Sequence, residues 1–199
     1  MQSGNELLDT LESFAIKIHG VLKKEKDTNY YNNHETYQIE YSYNLSNIVL
    51  TVYLQLLPEQ GRGPYTTNYT RLETQISKNR EVNVKLIRAT GFSRFVALFS
   101  SSRIKTGNNE FDKRFLLFSK DTQQAKAIFL SPNIFQPLFD FNDLYLTINN
   151  QTTNSTLQPG QSVLQININY VIINESDLLK LNKLAIDIVD SINQNNVRL

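Results

Sequence analysis

The chain has 199 residues, a formal net charge of +1, no cysteine, and hydrophobic residues at 40%. Without cysteine there can be no disulfides, thiolate metal sites or thiol nucleophiles. The near-zero net charge argues against a partner as strongly charged as duplex DNA, and no nucleic acid is expected. A chain of this length fits one domain, residues 1–199, burying about 70% of the surface the unfolded chain exposes.

Residues 5–26 read as one amphipathic helix, with Leu7, Leu8, Leu11, Phe14, Ala15, Ile18 and Leu22 at helical spacing and Lys23, Lys24 and Lys26 at its end. The basic end is a candidate contact for an acidic membrane surface, while a helix laid on a sheet explains the same pattern. His19 lies near the apolar stripe without a second ligand nearby in sequence. Residues 27–36 read as a polar loop holding Tyr30, Tyr31 and His34. Alternation at Tyr37, Ile39, Tyr41 and Tyr43 marks a half-buried strand, and residues 48–57 a second, joined by a turn at 44–47. Residues 58–65, with Gly61 and Gly63, read as a long exposed connection, since no strand–glycine–helix context suggests a phosphate loop. Strands at 69–76 and 82–88 complete an expected meander of about four strands. Most tyrosines fall between residues 30 and 69, which suits either an aromatic platform for a ligand or simply a pleated, half-wet surface. Residues 91–103, with Phe95, Val96, Leu98 and Phe99, fit a strand or a short helix.

The most informative stretch is 105–121, KTGNNEFDKRFLLFSKD. Thr106-Gly107-Asn108-Asn109 has turn chemistry, because Gly and Asn tolerate positive φ. Phe115-Leu116-Leu117-Phe118 is apolar at every position, which implies a central strand covered on both faces. Asp112 and Arg114 would point the same way in an extended chain and pair. Glu110 and Asp112 are the only carboxylates that suggest acid–base work, and a turn with a register-fixing salt bridge is the simpler reading.

This stretch, with Thr106, Gly107, Glu110, Phe111, Asp112, Arg114 and Phe115, resembles the TGxxEFDxxF signature of an uncharacterised bacterial domain family. The likeness extends over roughly residues 37–149, through Tyr69-Thr70-Arg71-Leu72 and Ala125-Lys126-Ala127-Ile128-Phe129-Leu130-Ser131-Pro132. It implies a fold neighbourhood and a setting often membrane-associated, with no established activity. Members often carry transmembrane helices, and the apolar runs of this chain are strand-sized, well short of the ~20 residues that cross a bilayer.

Asp121 with Gln124 reads as a helix start, and Ser131-Pro132 as a second, bearing Phe135, Leu138, Phe139 and Phe141 and shortened by Pro137. Leu144, Leu146 and Ile148 begin a strand, residues 149–162 form a polar loop, and Leu164, Ile166, Ile168, Tyr170 and Ile172 alternate in the cleanest strand pattern. Asn174 or Ser176 caps a last helix through about residue 193, burying Leu178, Leu181, Ala185, Ile188 and Ile192.

These elements add up to an α+β fold with a largely antiparallel sheet and helices at both ends. The simplest arrangement is one sheet with helices on one face, and two abutting halves, 1–91 and 104–199, are the alternative. The functional expectation is a non-catalytic interaction or scaffolding module with an unidentified protein partner and a peripheral contact at the inner membrane. A small-ligand-binding domain is the alternative, and an enzyme using Glu110 and Asp112 ranks below it. No catalytic residue, metal ligand or cofactor is assigned. The first residues, MQSGNELLDTLESFA, carry acids where an export signal needs positive charge, so a soluble cytoplasmic protein is expected.

Overall fold

The computed structural model describes residues 4–29, 32–44, 46–55, 68–77, 82–97, 99–149 and 161–194. Helix α1 (Gly4–Lys17) leads into strands β1 (Val21–Asn29), β2 (Asn32–Tyr43), β3 (Ser46–Gln55), β4 (Tyr69–Ser77) and β5 (Val84–Arg88). Then come α2 (Gly91–Ala97), β6 (Arg103–Ile104), α3 (Asn109–Arg114), β7 (Phe115–Ser119), α4 (Thr122–Phe129) and α5 (Pro132–Leu138). Strands β8 (Leu144–Asn149) and β9 (Gln161–Ile168) precede the long helix α6 (Glu175–Gln194).

Among the described residues nine strands join one antiparallel sheet in the order β1-β2-β3-β4-β9-β8-β5-β7-β6. The α+β class and the largely antiparallel sheet are as expected. Sheet pairing crosses between residues 1–91 and 104–199, because β4 pairs with β9 and β5 with both β7 and β8.

One row of partners shows why the sheet has a core face. Leu22, Ile39, Leu50, Leu72, Ile166, Leu146, Leu86, Leu117 and Ile104 lie opposite one another in succession, one apolar residue from every strand. Because side chains alternate with period two, all nine point to the same side. Helix α6 covers that side with Leu178, Leu181, Leu184, Ala185, Ile188, Val189 and Ile192, all buried, and packs beside α1, α4 and α5. Its start is capped by Asn174, whose Oδ1 accepts from the Asp177 N–H at 2.8 Å.

The neighbouring row, on the opposite face, changes character along the sheet. Lys23, Gln38, Thr51, Arg71 and Asn167 are polar, and then Tyr145, Ile87 and Leu116 are not. Leu116 is only 2% exposed. The second face is therefore apolar where β8, β5 and β7 meet, and α2 lies over that part. The edges are a lysine-bearing β1 and a two-residue β6, both poor templates for further strand pairing.

Several expectations need correction. The first helix stops at Lys17, and the sequence read as its continuation is strand β1. His19 adopts φ 54°, its N–H bonds the Ile16 carbonyl and the Gly20 N–H bonds the Ala15 carbonyl, closing a Schellman-type helix end. Gly20 is required sterically as well, since a Cβ there would lie 2.8 Å from the Ile39 Cγ2. The polar stretch 27–36 belongs largely to the β1–β2 hairpin, with Tyr30 and Tyr31 outside the described residues, as is the connection 58–65. Strand β5 leaves the meander to pair beyond β8. Strand β7 is covered on both faces but sits next to the edge rather than centrally. Residues 91–97 are helical.

Candidate functional site

The signature stretch folds as a turn and a short helix. Asn108 caps α3, its Oδ1 accepting from the N–H groups of Glu110 at 3.0 Å and Phe111 at 3.1 Å. One turn further on, Asp112 reaches back. Its Oδ1 accepts from the Thr106 N–H at 3.1 Å and the Thr106 hydroxyl at 2.9 Å, and its Oδ2 from the Gly107 N–H at 3.2 Å. The Thr106 oxygen in turn accepts from the Asn108 N–H at 3.1 Å. Gly107 has φ 87°, a conformation that only glycine adopts cheaply. Phe111 and Phe115 point into the core, where Phe111 stacks on Phe135 and Phe115 meets Phe139 edge-on at 5.4 Å.

The anticipated Asp112–Arg114 ion pair does not form. Residues 109–114 are helical, so positions two apart diverge rather than align. Arg114 instead lies 4.5 Å from the centre of the Phe139 ring, and Arg88 stands 5.3 Å over Phe115. Glu110 is exposed in the first turn of α3, where its charge suits the helix dipole. Thr106, Gly107 and Asp112 are thus brought together as a closed hydrogen-bonded turn. Phe111 and Phe115 anchor that turn to the core, while Glu110 and Arg114 stay outside it. Both oxygens of Asp112 are occupied by the chain's own donors, which leaves the carboxylate poorly placed for proton transfer. Among the described residues no three His, Asp or Glu side chains are grouped so as to hold a metal ion.

The tyrosines do not make a single platform. Tyr53 and Tyr69 stack on the open face at 5.1 Å, with Arg71 over the Tyr69 ring. Tyr41 and Tyr43 instead turn to the helix layer and bond Asn182 and Asp190 on α6. Burial pushes the Tyr41 phenol well above its ordinary range. Tyr37 donates to Glu35 at 2.7 Å, and that bond, with Lys24 and Lys26 nearby, holds the Glu35 carboxyl below its usual range.

The surface with unused binding capacity lies at α2, which the sequence reading left without a function. Phe92, Phe95 and Phe99 are 80%, 61% and 78% exposed, the first two on α2 and the third just beyond it. Phe95 and Phe99 meet edge-on at 5.5 Å. Beneath α2 runs a cleft of about 580 Å³ lined by Lys85, Ile87, Phe92, Ala97, Phe118 and Lys120 together with Asn83 and four serines. Neither Glu110, Asp112 nor Arg114 lines it. A signal was available in the sequence: the spacing 92, 95, 99 puts three phenylalanines on one helical face, and nothing in the strands' pattern calls for a partner there.

Charge sharpens the picture. Residues 82–109 contain Lys85, Arg88, Arg94, Arg103 and Lys105, and no acid at all. Arg103 lies opposite Phe118, and Phe118 opposite Lys85, so both cations flank the cleft on the same face. Among the described residues the salt bridges lie on β1, β2, α1 and α6 or just at their ends, and none involves these five cations. Searches against family models, curated proteins and solved structures find no match. Among the described residues no helix is long and apolar enough to cross a membrane.

Proposed function

We propose that the protein is a non-catalytic interaction module that works peripherally at an anionic membrane surface, docking through α2. The observation that carries this reading is the exposure of Phe92, Phe95 and Phe99 in an acid-free segment whose Lys85, Arg94, Arg103 and Lys105 are available beside them, Arg88 being turned to the core face over Phe115. Large aromatics left in water are costly unless something covers them, and three together form a patch rather than scattered exposure. Inserting the three rings into a headgroup region would contribute about 5 kcal/mol. Each nearby Lys or Arg adds about 1 kcal/mol at an anionic surface. The aromatics supply affinity and the cations choose the lipid, as in interfacial helices.

Sedimentation with phosphatidylcholine vesicles, with and without phosphatidylglycerol, tests the proposal. The protein should pellet with the anionic vesicles and remain free with the neutral ones. Failure to pellet with either, at low ionic strength, would contradict membrane docking and leave a protein partner as the occupant of the patch.

A further inference from the structure

The cleft under α2 has the make-up of a ligand site that shares Phe92 with the exposed phenylalanine patch but lies beneath Phe95 and Phe99. Its volume of about 580 Å³ falls within the usual size of small-molecule sites. Ile87, Phe92, Ala97 and Phe118 give it apolar walls, Lys85 and Lys120 give it two positive groups, and among the described residues no acid lines it. Neither lysine forms a salt bridge among the described residues. The Lys85 ammonium rests 5.5 Å from the Tyr145 ring, a contact that favours a course along the sheet for this exposed side chain.

The serines divide in a telling way. The Ser119 hydroxyl is committed to the Asn83 carbonyl at 2.9 Å, and that of Ser93 to the turn before α2. The hydroxyls of Ser100 and Ser102 share one bond at 3.1 Å, so one of their two protons is left over for an acceptor.

We infer that this cleft binds a small anionic amphiphile, a single carboxylate on an apolar chain or ring. Lys85 and Lys120 meet the carboxylate, the spare hydroxyl proton of the Ser100–Ser102 pair donates to it, and the apolar body lies along Ile87, Phe92, Ala97 and Phe118. Selectivity follows from charge. A cationic amphiphile of equal length would bring a third positive group beside Lys85 and Lys120, with no acid among the described lining residues to receive it. The inference rests on the cleft and not on the membrane reading, because its ligand is a free molecule.

Titration calorimetry of the full chain with decanoate, at concentrations where it does not aggregate, tests this directly. One decanoate should bind per chain, and decyltrimethylammonium should not. Lys85→Ala with Lys120→Ala should weaken decanoate binding about tenfold or more. Ala97→Trp fills the cleft while leaving Phe95 and Phe99 in place, and it should abolish decanoate binding but not vesicle sedimentation. Ala97 is buried, so if that variant melts early the exposed lysine pair carries the test alone. No saturable binding, equal binding of the cation, or decanoate affinity unchanged in the lysine variant would each overturn the inference. A phosphatidylglycerol vesicle that binds normally while decanoate does not would overturn it as well, without touching the membrane proposal.

Discussion

The turn at residues 105–112 and the helix α2 lie close in sequence and spend their side chains in opposite ways. In the turn the side chains of Thr106, Asn108 and Asp112 all have partners within the chain: Asp112 takes three donors, Asn108 two, and the aromatics beside them are buried. On α2 and its flanks three phenylalanines face water, and among the described residues Lys85 and Lys120 pair with no acid. A dense, distinctive motif can therefore be entirely architectural, and a plain stretch such as GFSRFVALFSSSR can carry the unspent binding capacity. Unsatisfied chemistry is a better guide to function here than distinctive sequence.

That contrast can be broken by substitution. The largest effect should come from the buried side of the turn. Phe111→Ala empties a fully buried ring site and should lower unfolding free energy by about 4 kcal/mol in a denaturant titration. Asp112→Ala strands the N–H and hydroxyl donors of buried Thr106 and should cost about 2 kcal/mol, with vesicle binding of the folded protein unchanged. Gly107→Ala should cost about 1–2 kcal/mol in the same titration, since the position is sterically open and the penalty comes only from its positive φ.

At the other region, Phe92→Ser with Phe95→Ser and Phe99→Ser should move stability by no more than about 0.5 kcal/mol per site. It should nevertheless remove anionic-vesicle binding. A marked loss of stability would mean that these rings are packed in the folded protein rather than offered to a partner.

A pH series probes two lysine-paired glutamates that lie outside both regions. Glu35 and Glu175 have folded-state pKa values lowered by bonds from Tyr37 and Lys17, respectively. A lowered carboxyl pKa contributes stability above the unfolded value of 4.5, and that contribution is lost as pH falls through the lower folded value. The melting temperature should hold from neutrality to about pH 5 and fall below it, and Glu35→Gln should flatten part of that fall. Vesicle binding, which depends on lysine and arginine, should change little over the upper part of that range.

Much of the fold could be read from the sequence because period-two alternation is a local signal. The runs at 37–43, 69–76 and 144–148 are all strands with side chains on the core face, the run at 164–172 is strand as far as Ile168, and Asp121 caps its helix through the Gln124 N–H. What failed was non-local or competitive. Ile18 and Leu22 continued a helical spacing, yet Gly20 ended the helix, and the apolar pattern could not report that a backbone at φ 54° was affordable at His19. The pairing of β5 with β8 across the sheet has no local signature. Asp112 reads as a strand residue because the apolar run that follows it is one, and the cap by Asn108, the residue directly after Gly107, is the cue that overrides that run. The α2 site was missed because exposure cannot be judged until the sheet beneath it is known.

The most direct test places Asp112→Ala and the triple phenylalanine variant side by side in anionic-vesicle sedimentation, both well below their melting temperatures. Retained binding by Asp112→Ala and lost binding by the phenylalanine variant is the result expected if the turn is architecture and α2 is the docking surface. The reverse pattern, with binding lost only in Asp112→Ala, would contradict that assignment and return the functional role to the turn.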